Sequence, residues 1–103
     1  MPIAGEQKLV KKLRKGCHQS FTTLFHLYAR KLYNFSYKYT DSHAESEEIV
    51  QEVFLKIWNK KETINPKLSF NAFLITIAKN HIFNKIKTAF FATRRPPHTA
   101  FSQ

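Results

Sequence analysis

Two sets of polar side chains in this sequence recur at helical spacing and carry opposite chemistry. Glu45, Glu48, Gln51 and Glu52 put three carboxylates and an amide on one surface of a helix, a surface suited to an ionic, hydrogen-bonded grip on a basic protein. Lys79, Asn80, Asn84 and Lys87 repeat the spacing with cations and amides. Cations neutralise phosphates and set affinity, whereas amides donate and accept and can read a base edge. Between the two sets, Lys60, Lys61, Asn65 and Lys67 offer further donors.

Nothing arranges bond-breaking chemistry. The five histidines, at 18, 26, 43, 81 and 98, form no HExxH pair and show no metal-ligand spacing with carboxylates. Gly5 and Gly16 are the only glycines, too few for a phosphate-cradling loop. Cys17 and His18 are adjacent, and consecutive side chains point apart, so they are no nucleophile and base. We expect no enzyme, no metal and no cofactor.

The acidic set needs a helix to hold it. Ile49, Val50, Val53, Phe54, Ile57 and Trp58 step by three or four and mark its buried stripe. Ser42 followed by Glu45 fits a capping box, which starts the helix near Ala44. A solvated face supported by the helix dipole accounts for acids in the first turn. It does not account for Glu52, which lies beyond that turn, or for the uncharged Gln51.

The other elements follow from the same periodicity. Residues 1–6 read as a short lead. Leu9, Val10 and Leu13 mark a basic first helix that stops at Gly16, either a solvated amphipathic element or one that touches DNA. Ser20 can cap a twenty-residue core helix ending at Thr40, with Phe21, Leu24, Phe25, Tyr28, Leu32, Phe35 and Tyr39 inside. Tyr33 and Tyr37 lie on another face near Arg30, Lys31 and Lys38, an arrangement open to packing between helices or to stacking on single-stranded bases. Asn65-Pro66 breaks the chain into a loop over residues 59–69. Ser69 can cap a last helix, reaching Lys87 or slightly further, that buries Phe70, Phe73, Leu74, Ile77, Ala78, Ile82 and Ile86.

Composition sets the class of partner. The 103 residues hold 17 Lys and Arg against seven acids, a net charge of +10, and six of those acids lie between Asp41 and Glu62. From Asn65 onward there is no acid at all. A basic balance of this kind points to a polyanion, with nucleic acid, ribosomal and membrane-surface partners all compatible with charge alone. One cysteine excludes an internal disulfide and suits a reducing cytoplasm. No stretch has the length of a membrane span or the apolar core of a signal peptide.

The run from Ala44 to Trp58, AESEEIVQEVFLKIW, resembles the AEDIVQEVFLKLW segment of region 2 in bacterial sigma factors of the extracytoplasmic-function (ECF) group. Phe73 to Asn80, FLITIAKN, is similar to the WLxxIAxN segment of the same domain. Gly16 and Phe21, followed by Leu24-Phe25 and Tyr28, resemble its opening segment. The likeness spans roughly residues 8 to 90. It departs where the family has Trp and this chain Phe73, and where NxxxDxxR becomes Asn80, Asn84 and Lys87. Lysine cannot copy the forked bonding of arginine, so promoter preference is expected to differ.

The resemblance implies a compact all-α bundle of three to four helices over residues 1–92 that serves in transcription initiation. Glu45, Glu48, Gln51 and Glu52, with Glu47 beside them, would bind the clamp helices of the largest subunit of core RNA polymerase. Lys60, Lys61, Asn65, Lys67, Lys79, Asn80, Asn84 and Lys87 would engage the minus-ten promoter element, chiefly as single strand, with a base flipped into the loop. An anti-sigma factor is a further possible partner, and a membrane is not expected. Residues 93–103 would be a flexible tail or the start of a linker, with region 4 absent. The alternative is a helical adaptor that binds a basic partner without promoter activity, and a helix-turn-helix duplex binder is a third reading.

Overall fold

Gly16 at φ 90° and Asp41 at φ 52° are left-handed positions at which successive helices turn back on each other. Glycine takes this conformation without a side-chain clash, and aspartate is among the few other residues that tolerate it. The structure, a computed structural model, describes residues 5–94, with side chains placed as far as Lys87. Its elements are α1 (Glu6–Arg14), α2 (His18–Thr40), α3 (His43–Asn59), a 3-10 turn (Lys61–Thr63) and α4 (Phe70–Arg94). Residues 1–4 of the expected lead and 95–103 of the expected tail lie outside the described residues, as do the side chains of Phe90, Phe91 and Arg94, while Thr93 and Arg94, expected in the tail, are the last residues of α4.

The Gly16 turn is a double closure. Its N–H bonds the Leu13 carbonyl at 2.8 Å, and the Cys17 N–H bonds that of Lys12 at 3.1 Å, the pattern that satisfies free carbonyls at a helix end. Because the turn is over by residue 17, α2 begins at once, and Cys17 rather than Ser20 is its cap. The Cys17 sulfur accepts from the Ser20 N–H at 3.5 Å and its hydroxyl at 3.3 Å. Those bonds, the hydroxyl's first, hold the thiol below its usual pKa. The helix therefore has 23 residues, longer than its apolar pattern indicated.

Ser42 caps α3 through the Glu45 N–H at 3.2 Å. Only that half of the capping box forms, because the Ser42 N–H donates to the Thr40 hydroxyl instead, at 3.3 Å. Helix α3 then starts at His43. Ser69 caps α4 as expected, accepting from the Ala72 N–H at 3.1 Å.

The core draws on every helix: Val10 and Leu13, Leu24 and Leu32, Ile49, Val53 and Ile57, Phe70, Leu74 and Ile82 are buried. Ile64 is buried too, which pins the connection between α3 and α4 to the bundle. Each such side chain stabilises by roughly 1.5–3 kcal/mol on burial. Two expectations for the inner faces fail. Tyr39, one residue short of the end of α2, and Ile86 of α4 are both 44% exposed.

Glu6 is the larger correction. Read as part of an unstructured lead, it is instead the first residue of α1 and is only 6% exposed. Its carboxylate accepts from the Tyr28 hydroxyl and, at 3.3 Å, from the Phe70 N–H. A single acid thus ties α1, α2 and the first turn of α4. Burial and this acid, in that order, push the Tyr28 phenol well above its usual pKa.

Candidate functional site

With Ile49, Val53 and Ile57 turned inward, α3 carries Glu45, Glu47, Glu48 and Gln51 outward, all exposed, and leaves Glu52 half-buried at its side. A groove of about 500 Å³ runs between α2 and α3, lined by Phe25, Ala29, Arg30, Tyr33, Glu47, Val50 and Gln51. A second depression, about 360 Å³, is lined by Ala44, Glu45, Glu47, Glu48 and Gln51. Glu47 and Gln51 border both. The arrangement has an apolar floor and an acid and amide rim, fit to take long basic side chains from a protein surface.

Glu48 and Glu52 have partners inside the chain. The His81 Nε2 lies 2.6 Å from Glu52 Oε1, and the Lys85 Nζ lies 3.1 Å from Glu48 and 3.4 Å from Glu52. For Glu52, burial works to raise the carboxyl, but the bonds from His81 and Lys85 together outweigh it and hold the pKa below the usual value. Burial likewise opposes the charge on Lys85 and is outweighed by Glu48 and Glu52, which raise its pKa. The acidic face of α3 and the basic face of α4 are therefore joined along an ionic seam.

On α4, Lys79, Asn80, Asn84 and Lys87 are exposed and, among the described residues, take part in no ion pair. The second group of expected nucleic-acid contacts is not gathered with them. Lys67 lies at the other end of α4, roughly 15 Å from Lys79 along the helix axis, where it borders a groove of about 680 Å³ with Lys8 and Lys11 of α1. Asn65 accepts from the Lys67 N–H at 2.9 Å, so its carbonyl is used within the loop while its amide N–H₂ stays available. Lys60 is exposed. Lys61 is half-buried, with its ammonium 4.2 Å above the Trp58 ring, a position that favours packing over contact with a strand.

The sequence did not mark the pairing of His81 and Lys85, nor Arg30 in the groove. It also passed over Phe83, 48% exposed between the polar residues of α4. Its position off the apolar stripe was the available signal. Tyr33 and Tyr37 stack on each other and on His43, and the Tyr33 hydroxyl bonds His43 Nδ1. Both tyrosines are half-buried. Among the described residues no group of His, Cys, Asp and Glu is placed to hold a metal, and no helix is long and apolar enough to cross a membrane.

The Sigma-70 region 2 family matches residues 24–89, more than half of the chain. The ECF RNA polymerase sigma factor SigW of Bacillus subtilis (strain 168) is 26% identical over 81 residues, which are 79% of this chain and 43% of that protein. The chain thus spans less than half the length of this curated relative. Among solved structures, an NMR structure of an engineered region 2 of sigmaE in complex with GTAAAA is similar at a TM-score of 0.75 and 26% identity, over 81% of this chain and 86% of that one.

Proposed function

The chain belongs to the Sigma-70 region 2 family, and from that premise we propose that it is a transcription initiation module that binds core RNA polymerase and opens the minus-ten promoter element. The observation that carries this reading is the pair of exposed faces of opposite character on α3 and α4. The acid and amide face, with Glu45, Glu48, Gln51 and Glu52, docks on the basic clamp helices of the largest polymerase subunit. The face with Lys79, Asn80, Asn84 and Lys87 holds the unpaired strand, and Lys60, Asn65 and Lys67 contact it around the loop. Support for the nucleic-acid half comes from the engineered sigmaE region 2, solved in complex with GTAAAA. The polymerase performs the chemistry and this domain supplies binding alone. Its place of work is the cytoplasm, and an anti-sigma factor would act by covering the same α3 face.

Co-purification with bacterial core RNA polymerase tests the reading, combined with titration of single-stranded and duplex promoter DNA. Capture of polymerase and a preference for the single strand are expected. Duplex preference points to a helix-turn-helix mode, and capture of a basic protein without DNA binding points to an adaptor.

A further inference from the structure

Phe83 and Tyr39 form an exposed aromatic pair that the core does not explain. Their rings, 48% and 44% exposed, meet edge to face across α4 and α2 with centroids 6.0 Å apart and planes at 85°. Tyr39 leans in turn on the half-buried Phe35, at 5.3 Å. An edge-to-face contact uses one face of one ring, so flat apolar surface is left open to solvent on both helices. The surroundings are cationic: Lys79 and Lys87 lie a turn before and after Phe83, and Lys38 adjoins Tyr39. None of these lysines is in an ion pair among the described residues. The nearest acid in sequence, Asp41, caps the end of α2, and its charge raises the pKa of the Tyr37 phenol.

Open ring faces among unpaired cations match an unpaired nucleic-acid strand, whose bases stack while its phosphates are neutralised. An acidic peptide would meet the cations but has no need of flat rings. We propose that Tyr39 and Phe83 form a base-stacking subsite, extending the α4 face across to α2 and taking a base of the strand that Lys79 and Lys87 hold. This deepens the single-strand reading above and rests on it. Stacking tolerates any base, so the subsite adds affinity without fixing sequence. Discrimination is left to Asn80 and Asn84, whose amides can bond base edges.

The test uses a short single-stranded oligonucleotide and an abasic strand of equal length, titrated over a salt series against the full chain. Phe83→Ala should bind the base-bearing strand roughly tenfold more weakly, with an unchanged salt slope because no phosphate contact is removed. It should bind the abasic strand as the wild type does, and Phe83→Trp should restore affinity. Tyr39→Ala, on the other helix, should behave like Phe83→Ala, and circular dichroism checks that each variant folds. Equal binding of wild type and Phe83→Ala to the base-bearing strand overturns the subsite and leaves the single-strand reading standing. So does an equal loss on the abasic strand, or a loss of polymerase capture in place of DNA binding. Failure of the wild type to bind either strand overturns both.

Discussion

Glu52 and His81 meet at 2.6 Å across the seam between α3 and α4, and Lys85 stands 3.4 Å from the same carboxylate oxygen. A carboxylate expected to grip a partner is thus already satisfied within the chain. A docking cation must share it or displace α4 side chains to reach it. The seam also fixes the orientation of α4 relative to α3, so the protein-facing and strand-facing surfaces keep one relative position.

The seam should show in the pH dependence of stability. The folded pKa of Glu52 is lowered, so its contribution is present above the unfolded value of about 4.3 and is lost as pH falls through the folded value. The folded pKa of Lys85 is raised, so its contribution is present below the unfolded value and is lost as pH rises through the folded one. Both groups are partly exposed, which limits the effect to about 1 kcal/mol. Urea unfolding of Glu52→Gln against wild type should give a gap near neutrality that closes in acid. A gap that persists unchanged well below the glutamate range would assign the loss to packing.

Gln51 offers the cleaner probe of docking. It is exposed and has no hydrogen-bond partner among the described side chains, so Gln51→Lys should change stability by no more than about 0.5 kcal/mol. A lysine there faces the basic partner with like charge, and capture of core polymerase should fall at least about tenfold. Glu52→Lys should also lose capture, but it sets a second ammonium against Lys85, removes the acceptor of His81 and should lower stability as well. Wild-type capture by Gln51→Lys would remove this face from the interface.

Contacts to phosphate and to base separate by salt. Lys79→Ala should weaken single-strand binding and reduce the slope of log K against log salt by about 0.7, the loss of one phosphate contact. Asn80→Ala should weaken binding with the slope unchanged, since an amide releases no counterion. Identical slopes for wild type and Lys79→Ala in an anisotropy titration would take Lys79 out of the strand contacts.

What could be read from the residues was whatever one helix decides alone. The stripe from Ile49 to Ile57, the caps Ser42 and Ser69 and the stop at Gly16 are set within a few neighbours, and the structure keeps all of them. Ser20 misled as the cap of α2 because serine is a good cap in isolation, while the Gly16 closure decided where α2 begins. Ile86 follows the apolar period yet is 44% exposed, since periodicity marks a face without saying what packs against it. The polar faces of α3 and α4 were visible as patterns, yet His81 is 29 residues from Glu52, and no local rule brings them together. Glu6 was hidden for the same reason, since its partners lie 22 and 64 residues away.

Glu6 therefore carries the largest single-residue prediction for stability. Its carboxylate accepts from the Tyr28 hydroxyl and the Phe70 N–H in a buried setting, and hydrogen bonds to a charged group contribute roughly 1.5–3 kcal/mol. It also sits at the positive end of the α4 dipole, which favours negative charge. Glu6→Ala leaves two buried donors unpaired and should destabilise by about 3 kcal/mol. Tyr28→Phe removes one donor and leaves the Phe70 bond, so it should cost about 1.5 kcal/mol. The double variant should be less destabilised than the sum, because the Tyr28 hydroxyl is counted in both singles. Urea unfolding of the four proteins supplies the cycle. Strict additivity would mean that Glu6 and Tyr28 do not act through their shared bond, leaving Glu6 to hold α1 through the Phe70 N–H.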